Sequence, residues 1–522
     1  MLSKVYAAAL RGVESLPVEV EVHVGPGEER ILVVGLPDAA VRESVERVST
    51  ALTSSGFRLP PGKTTINLAP ADLRKEGPSF DLAIALAWLM ASGQVVSDRA
   101  EEYALIGELA LTGEVRRVKG VLPIALSAQA AGRRGLLVPM DNAPEAAVVQ
   151  GLEVIPVSTL KQATEFLTGT SPLLPCRVNT QSLFDQPSPD GIDLCDVKGQ
   201  ETVKRALEIA AAGGHNLILI GPPGTGKSML AKRLATLMPP FTLDEALETT
   251  RIHSVAGLLE PHQALLTNRP FRAPHHTASD AGLLGGSINP SPGEISLAHH
   301  GVLFLDELPE FRRSVLETMR QPLEEGHVTI SRAAETMTFP SAFMLVAAMN
   351  PTPDGKMPSE SRSSPREIQN YLGRISGPLL DRIDLHVEVP PVNFREMSAT
   401  TGGETSAEVR QRVMAARRLQ GTRWPTAPGN NARMQSRDLQ QHCQLDDATR
   451  QLLRMAMEEL NLSARAYDRI PKVARTIADL AGTTHLRAEH VSEAHPIPHS
   501  GPSDLDMTLR AMRFAFRFHL RA

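Results

Sequence analysis

Gly221-Pro222-Pro223-Gly224-Thr225-Gly226-Lys227-Ser228 lies between an apolar run, Leu217-Ile-Leu-Ile220, and a helical one, Met229-Leu-Ala-Lys-Arg-Leu-Ala. Glycines so spaced let consecutive backbone N–H groups converge on one point, and a helix that starts there adds the positive end of its dipole. In a strand–loop–helix setting such an octet cradles a polyphosphate. Lys227 is placed to reach the β and γ phosphates, and the Ser228 hydroxyl to ligate Mg2+.

Three further places complete that chemistry. Gly301-Val-Leu-Phe-Leu-Asp306-Glu307 ends an apolar strand in two acids, at the strand tip where open α/β sheets bind ligands. Asp306 would hold the magnesium through water, and Glu307 would polarise the attacking water. Phe343-Met-Leu-Val-Ala-Ala-Met ends in Asn350-Pro351, an amide at a strand tip that can hold the lytic water. Gly377-Pro-Leu-Leu-Asp-Arg382-Ile-Asp puts a permanently charged, planar guanidinium just before the strand LHVEV. Arg382 there suits a phosphate bound by a neighbouring subunit.

The elements that must carry these residues follow from hydrophobic periodicity. Up to residue 168 strand and helix signals alternate, with strands predicted at VEVEVHV, RILVVGL, TTINLAP, YALIGELAL, GLLVP and LEVIPV. Asp38 opens a helix with an acidic first turn. Residues 169–191, rich in Pro, Ser and Thr, read as a linker, and a second α/β pattern covers 192–392. Residues 393–435 form a linker with one charged helix, 436–498 are helical throughout, and 499–522 are an atypical tail.

Composition limits the function. The chain has 522 residues, a net charge of −5 and 4% aromatics, so neither a global basic field nor an aromatic base-stacking surface is expected. Cys176, Cys195 and Cys443 are far apart, which argues against a disulfide framework or a cysteine zinc site. The longest apolar run, Leu82 to Ala91, is short of the roughly 18–20 residues that cross a bilayer. No signal peptide is recognisable, so a cytoplasmic location without membrane partners is expected.

With these motifs in order, the middle and C-terminal parts resemble an AAA+ ATPase. About 80 residues separate Lys227 from Asp306, leaving room for a helix-2 insert containing RPFRAPHHTASDAGLLGGSINPSPGEISLAHH. EGHVTISRAAETMTFPSAF then reads as a β-hairpin before the Asn350 strand. That pair of inserts is similar to the magnesium-chelatase and MCM-helicase branch. INLAPADLRKEGPSFDLAIA and LTGEVRRVKGVLPIALSAQAAG resemble the Lon protease domain. The combination is similar to the YifB/ComM family, to about Ala494.

The resemblance implies an α/β chain in three parts: an N-terminal Lon-protease-like (S5-type) α+β domain, a P-loop AAA+ core and a C-terminal helical lid. It implies ATP and Mg2+, a homo-hexamer, and an ATP-driven motor on branched or forked DNA, of the branch-migration type found in natural transformation. It further implies that Gly199-Gln200 holds the adenine, and that Arg465, with Arg469 as the next candidate, reaches the γ-phosphate from the lid.

Two departures from the family pattern stand out. Lon-type proteolysis needs a serine and a lysine base; Ser79 stands in the nucleophile's place, but Leu122 occupies the lysine's, with Lys119 three residues off. Ser79 is read instead as the N-cap of the helix FDLAIALAWLM, and the domain as a pseudo-protease. The tail after Ala494 does not match the family's ending and is either an extension or a frame-shifted end.

His275-His276 and His299-His300 lack a third ligand at a usual metal spacing and read as loop or contact residues. Arg332, Arg312 and Arg313 could line a pore or simply face solvent. The alternative to a DNA motor is a chelatase-like metal-insertion or protein-remodelling ATPase, although no porphyrin partner is expected. Leu122 argues against a protease.

Overall fold

The computed structural model describes residues 1–184, 191–286, 291–331, 336–393, 396, 403–424, 429–460 and 464–494, with side chains except at 452, 455–460 and 464–466. In the N-terminal part, β1 (Leu2–Arg11) and β2 (Glu14–Gly25) form a long hairpin. Alternation sends Val18, Val20 and Val22 of β2 inward beside Val5, Ala7 and Ala9 of β1. Strand β1 has no counterpart among the predicted strands. Its run of alanines carries little β signal, and pairing with the Val-rich β2 supplies the order. Strands β3 (Arg30–Val34), β4 (Lys63–Ala69), β5 (Tyr103–Leu105), β8 (Gly135–Pro139) and β9 (Glu153–Val157) extend the sheet to the order β3-β4-β2-β1-β5-β8-β9. The predicted strand YALIGELAL breaks at Gly107, leaving β5 and then β6 (Glu108–Leu109), which pairs with β7 (Val115–Arg116).

The helix Asp81–Ala91 is apolar on all sides and buried along almost its whole length, between the sheet and the helix Ala39–Ser54. Ser79 does not cap it. The helix begins at Asp81, its cap position is Phe80, and no side chain closes its first turn. Ser79 lies in a preceding single turn, Pro78–Phe80, because Asp81 takes the acidic first-turn place and bonds Arg47 and the Leu109 N–H. Asp38 likewise stands one step outside the place expected for it. It is the N-cap of Ala39–Ser54, its carboxylate accepting the Val41 N–H at 2.7 Å.

The second sheet is parallel throughout, in the order β11-β12-β15-β10-β16. Its strands are β10 (Leu217–Ile220), β11 (Phe271–Arg272), β12 (Val302–Leu305), β15 (Met344–Met349) and β16 (Leu385–Glu388). The predicted hairpin is present as β13 (His327–Ser331) and β14 (Thr336–Pro340), while Arg332 lies outside the described residues. No helix among the described residues is long and apolar enough to cross a membrane.

The N-terminal part docks on the helix Leu243–Ala256. The Gly120 N–H donates to Ser254 O at 3.1 Å, and the Ser254 hydroxyl donates to the buried Glu145 carboxylate. Leu122, fully buried beside this contact, donates its N–H to Glu145 at 2.9 Å, and the Lys119 methylenes lie over Gly257. Within the segment read as a linker, the Cys176 N–H donates to Val154 O of β9 at 2.8 Å.

The C-terminal helices pack around the helix Glu201–Gly213. His215, just before β10, bonds Asp384, just before β16, at 3.2 Å and Thr476 of the helix Ala464–Leu480 at 2.8 Å. They therefore meet the parallel sheet at the amino ends of its strands. Burial pushes the Asp384 carboxyl up, but the hydrogen bond and charge of His215 outweigh it and hold it below the ordinary range.

Asp81 is fully buried, and burial outweighs its Arg47 partner, so its carboxyl is pushed up to about 6. A folded-state value above the unfolded one stabilises at low pH, and that contribution is lost as pH rises from about 4 through about 6. In urea unfolding, Asp81→Asn is expected to gain on the parent by on the order of 2 kcal/mol between pH 4 and pH 7.

Candidate active site

Three strand tips converge at the carboxyl edge of the parallel sheet. β10 ends at Ile220, and the Gly221 N–H donates to Met349 O of β15 at 3.2 Å. The chain then turns through Gly224 and Gly226, whose φ of 80° and 86° are left-handed and favour glycine, into the helix Lys227–Leu237. Thr225 Oγ1 donates to Pro222 O at 2.9 Å and stiffens the turn. Among the described residues, no protein acceptor takes the backbone N–H groups of Gly224, Thr225, Gly226, Lys227 and Ser228. Five donors left for an outside acceptor at a helix N-terminus suit a phosphate group.

The Lys227 ammonium donates to Gly221 O at 2.7 Å, Pro222 O at 2.9 Å and Asn350 Oδ1 at 3.1 Å. Burial lowers its pKa, against the pull of Asp306 and Glu307. Asn350 reaches it because β15 lies between β10 and β12. Ser228 Oγ donates to Asp306 Oδ2 at 2.7 Å, and Asp306 Oδ1 accepts the Glu307 N–H at 3.0 Å. A hydroxyl and a carboxylate this close form a hard oxygen donor set that suits Mg2+. Glu307 itself has a left-handed backbone, φ 52° and ψ 50°, a conformation costing about 1–3 kcal/mol in a non-glycine residue. That turn takes its side chain out of the line of β12.

Gln200 is buried, with its side-chain amide donating to Thr225 O and Pro390 O, both at 3.0 Å. It braces the back of the loop and ties it to the end of β16. Gly199, at φ 61°, lies where an added Cβ would come within 2.8 Å of Glu396.

Arg382 lies elsewhere. Its carbonyl accepts from the Asn216 side chain at 3.0 Å, at the amino end of β10. From there the four residues of β10, roughly 13 Å of strand, separate it from the phosphate loop of its own chain. Its guanidinium pairs with Glu324 and Pro378 O, leaving the side chain 10% exposed. Arg469 lies at the same edge, donating to Leu380 O at 3.3 Å and Ile383 O at 2.7 Å. The side chain of Arg465 lies outside the described residues, as does the tail after Ala494.

Glu248, His299 and His300 form the one cluster of potential metal ligands among the described residues. The Ala342 N–H donates to His299 Nδ1 at 2.9 Å, so the ring proton of neutral His299 sits on Nε2, 3.2 Å from Glu248. A metal would need the Nε2 lone pair. The cluster is thus a brace between the helix Leu243–Ala256 and the start of β12, with Glu248 held well below the usual carboxylate range by the two histidines.

Two neighbours are not assigned to the site from sequence: Tyr371 is not singled out, and His276 reads, with His275, as a loop or contact residue. Tyr371 Oη donates to Asn350 O at 3.3 Å from a helix following β15, and His276 Nδ1 lies 3.5 Å from Glu307 Oε2. Only the fold brings them close to the site.

A glycine-rich phosphate loop, an Asp-Glu strand tip and a polar amide between them, on a parallel sheet of this order, define a P-loop nucleotide-binding protein of the AAA+ class. Family comparison agrees: "Magnesium chelatase, subunit ChlI" matches residues 193–397, "Subunit ChlI of Mg-chelatase" matches 20–142, and "Magnesium chelatase, subunit ChlI C-terminal" matches 403–497. The competence protein ComM of Haemophilus influenzae is 46% identical over 497 residues, covering 94% of this chain and 96% of that one. The YifB protein of Escherichia coli is 45% identical over 502 residues, with 94% and 96% covered. The magnesium-chelatase 67 kDa subunit of Chlorobaculum parvum is 26% identical over 208 residues, 39% of this chain and 27% of that one. The chain belongs to the YifB/ComM family.

Lys227→Ala and Glu307→Gln are expected to abolish ATP turnover by different routes. The first removes a phosphate contact and should weaken binding of a fluorescent ATP analogue. The second should keep binding and accumulate uncleaved ATP. Equal loss of affinity in both would remove the role given to Glu307.

Proposed function

We propose that this chain is an ATP-hydrolysing AAA+ motor that assembles as a homo-hexamer and acts on branched or forked DNA. The observation that carries the hydrolytic reading is the Ser228–Asp306 hydrogen bond of 2.7 Å with Lys227 on Asn350 beside it. In this reading the free N–H groups of the loop and Lys227 bind the phosphates, and Ser228 and Asp306 hold Mg2+. The ion neutralises charge on the β and γ phosphates when bound. Asn350 orients the lytic water, and Glu307 draws a proton from it.

The placement of Arg382 supports a ring. It is too far from its own phosphate loop to serve it, and lies at the opposite edge of the sheet. A neighbouring subunit's site is where an arginine on that edge can act, as an arginine finger supplied in trans. The C-terminal helices, with Arg465 as the candidate γ-phosphate contact, meet the same amino edge and would serve the same inter-subunit site.

A relative named a competence protein supports DNA as the substrate. The chelatase match supports the alternative, a metal-insertion or protein-remodelling ATPase. The N-terminal part is read as a pseudo-protease, because Leu122, which carries no basic group, stands where a lysine base is needed.

Two experiments test the proposal. Forked or four-way DNA should raise ATP turnover, while casein and porphyrin should leave it flat. Stimulation by porphyrin alone would favour the alternative, and casein cleavage that vanishes in Ser79→Ala would overturn the pseudo-protease reading. Arg382→Ala should bind ATP normally and lose roughly 10³–10⁵-fold in rate. Mixed with Lys227→Ala, it should regain turnover at interfaces that join an intact loop to an intact Arg382. A mixture that stays inactive at every ratio would refute action in trans.

A further inference from the structure

The parallel register of β11 and β12 brings a second side chain to the Glu307 carboxylate. Arg272 is the register partner of Leu303, and His276 follows Arg272 by the same four residues by which Glu307 follows Leu303. His276 therefore emerges abreast of Glu307, with Nδ1 3.5 Å from Oε2. β11 is held in that register by Arg272, which donates to both oxygens of Glu294 at 2.7 Å. The imidazole is packed on two sides. Its centroid is 4.1 Å from that of His275, and it meets the buried Phe311 ring edge-on at 6.4 Å.

Glu307 is a group that needs such a restraint. Its left-handed backbone aims the side chain away from β12, and that side chain is 57% exposed. Among the described residues no hydrogen bond holds its carboxylate, and its partner at ion-pair distance is His276. A glutamate with three free torsions points its carboxylate at an attacking water only part of the time, and misplacement of a reacting group by about 1 Å costs on the order of 10²-fold in rate.

We propose that His276 is a positioning residue for ATP hydrolysis, an N–H donor on the loop after β11 that holds the Glu307 carboxylate in one orientation. The inference rests on the reading of Glu307 as the group that polarises water. It makes turnover depend on how β11 and its loop lie against β12, so that a shift of that loop would change the rate without changing nucleotide contacts.

The test uses the full-length chain with His276→Ala, His276→Asn and His276→Gln, measuring kcat and KM for ATP and the affinity for a fluorescent ATP analogue. His276→Ala should lower kcat about 10-fold with KM and affinity unchanged. His276→Asn should recover most of the loss, because its amide nitrogen stands the same number of bonds from the backbone as Nδ1. His276→Gln, one methylene longer, should not. The proposal is overturned if kcat in His276→Ala is unchanged or raised, if affinity falls with kcat, or if the asparagine variant is no better than the alanine. A parent without turnover overturns the hydrolytic reading and this inference together, whereas an active parent indifferent to His276→Ala overturns this inference alone.

Discussion

Strand β15 lies between β10 and β12, and the chemistry proposed for this chain depends on that adjacency. Neighbouring strands are about 4.8 Å apart, so three consecutive strand tips fall within reach of one small group. That spacing lets one serine meet an aspartate 78 residues further on, and lets a lysine from the β10 tip meet an asparagine from the β15 tip. A parallel sheet buried on both faces is also the rigid support that such contacts require. β11 extends the same logic outward, since its register with β12 sets His276 beside Glu307.

The two edges of that sheet are chemically different. The carboxyl edge collects the phosphate loop and two acids, with a lysine whose charge is opposed by burial and supported by those acids. The amino edge collects Arg382, Arg469 and the His215–Asp384 pair, and there the C-terminal helices attach. Separation of the two sets by the length of a strand is a geometric reason to expect the active unit to be larger than one chain. The guanidinium of Arg382 is paired with Glu324 of its own chain, so service to a neighbour would require exchanging that partner.

The N-terminal part is attached to this core through the helix Leu243–Ala256, not through the linker alone. Glu145 gathers the Leu122 N–H, the Asn142 amide and the Ser254 hydroxyl around one buried carboxylate. Burial raises its pKa while these donors oppose the shift. A charged group so placed is costly unless each donor is in place, which makes the docking orientation specific. The same helix carries Glu248, which braces His299 and His300 at the start of β12. One helix thus connects the N-terminal sheet to the strand that carries Asp306 and Glu307.

The phosphate loop, the Asp306-Glu307 pair and the Asn350 strand tip were legible from sequence because each is a local pattern: an apolar run of strand length followed at once by its polar residue. The predicted hairpin and most predicted strands of the N-terminal part are present for the same reason, since alternation is set by near neighbours. Strand β1 was not legible, because its alanines become a strand through pairing with β2. Ser79 was misplaced as a cap by one position, since the helix start was settled by the pairing of Asp81 with Arg47. The position of Arg382 on the edge away from the glycine-rich loop of its own chain, the contacts of Gln200 behind that loop and the approach of His276 to Glu307 follow from strand order and register. These long-range relations join residues whose separation in the chain carries no periodic signal, and packing alone decides them.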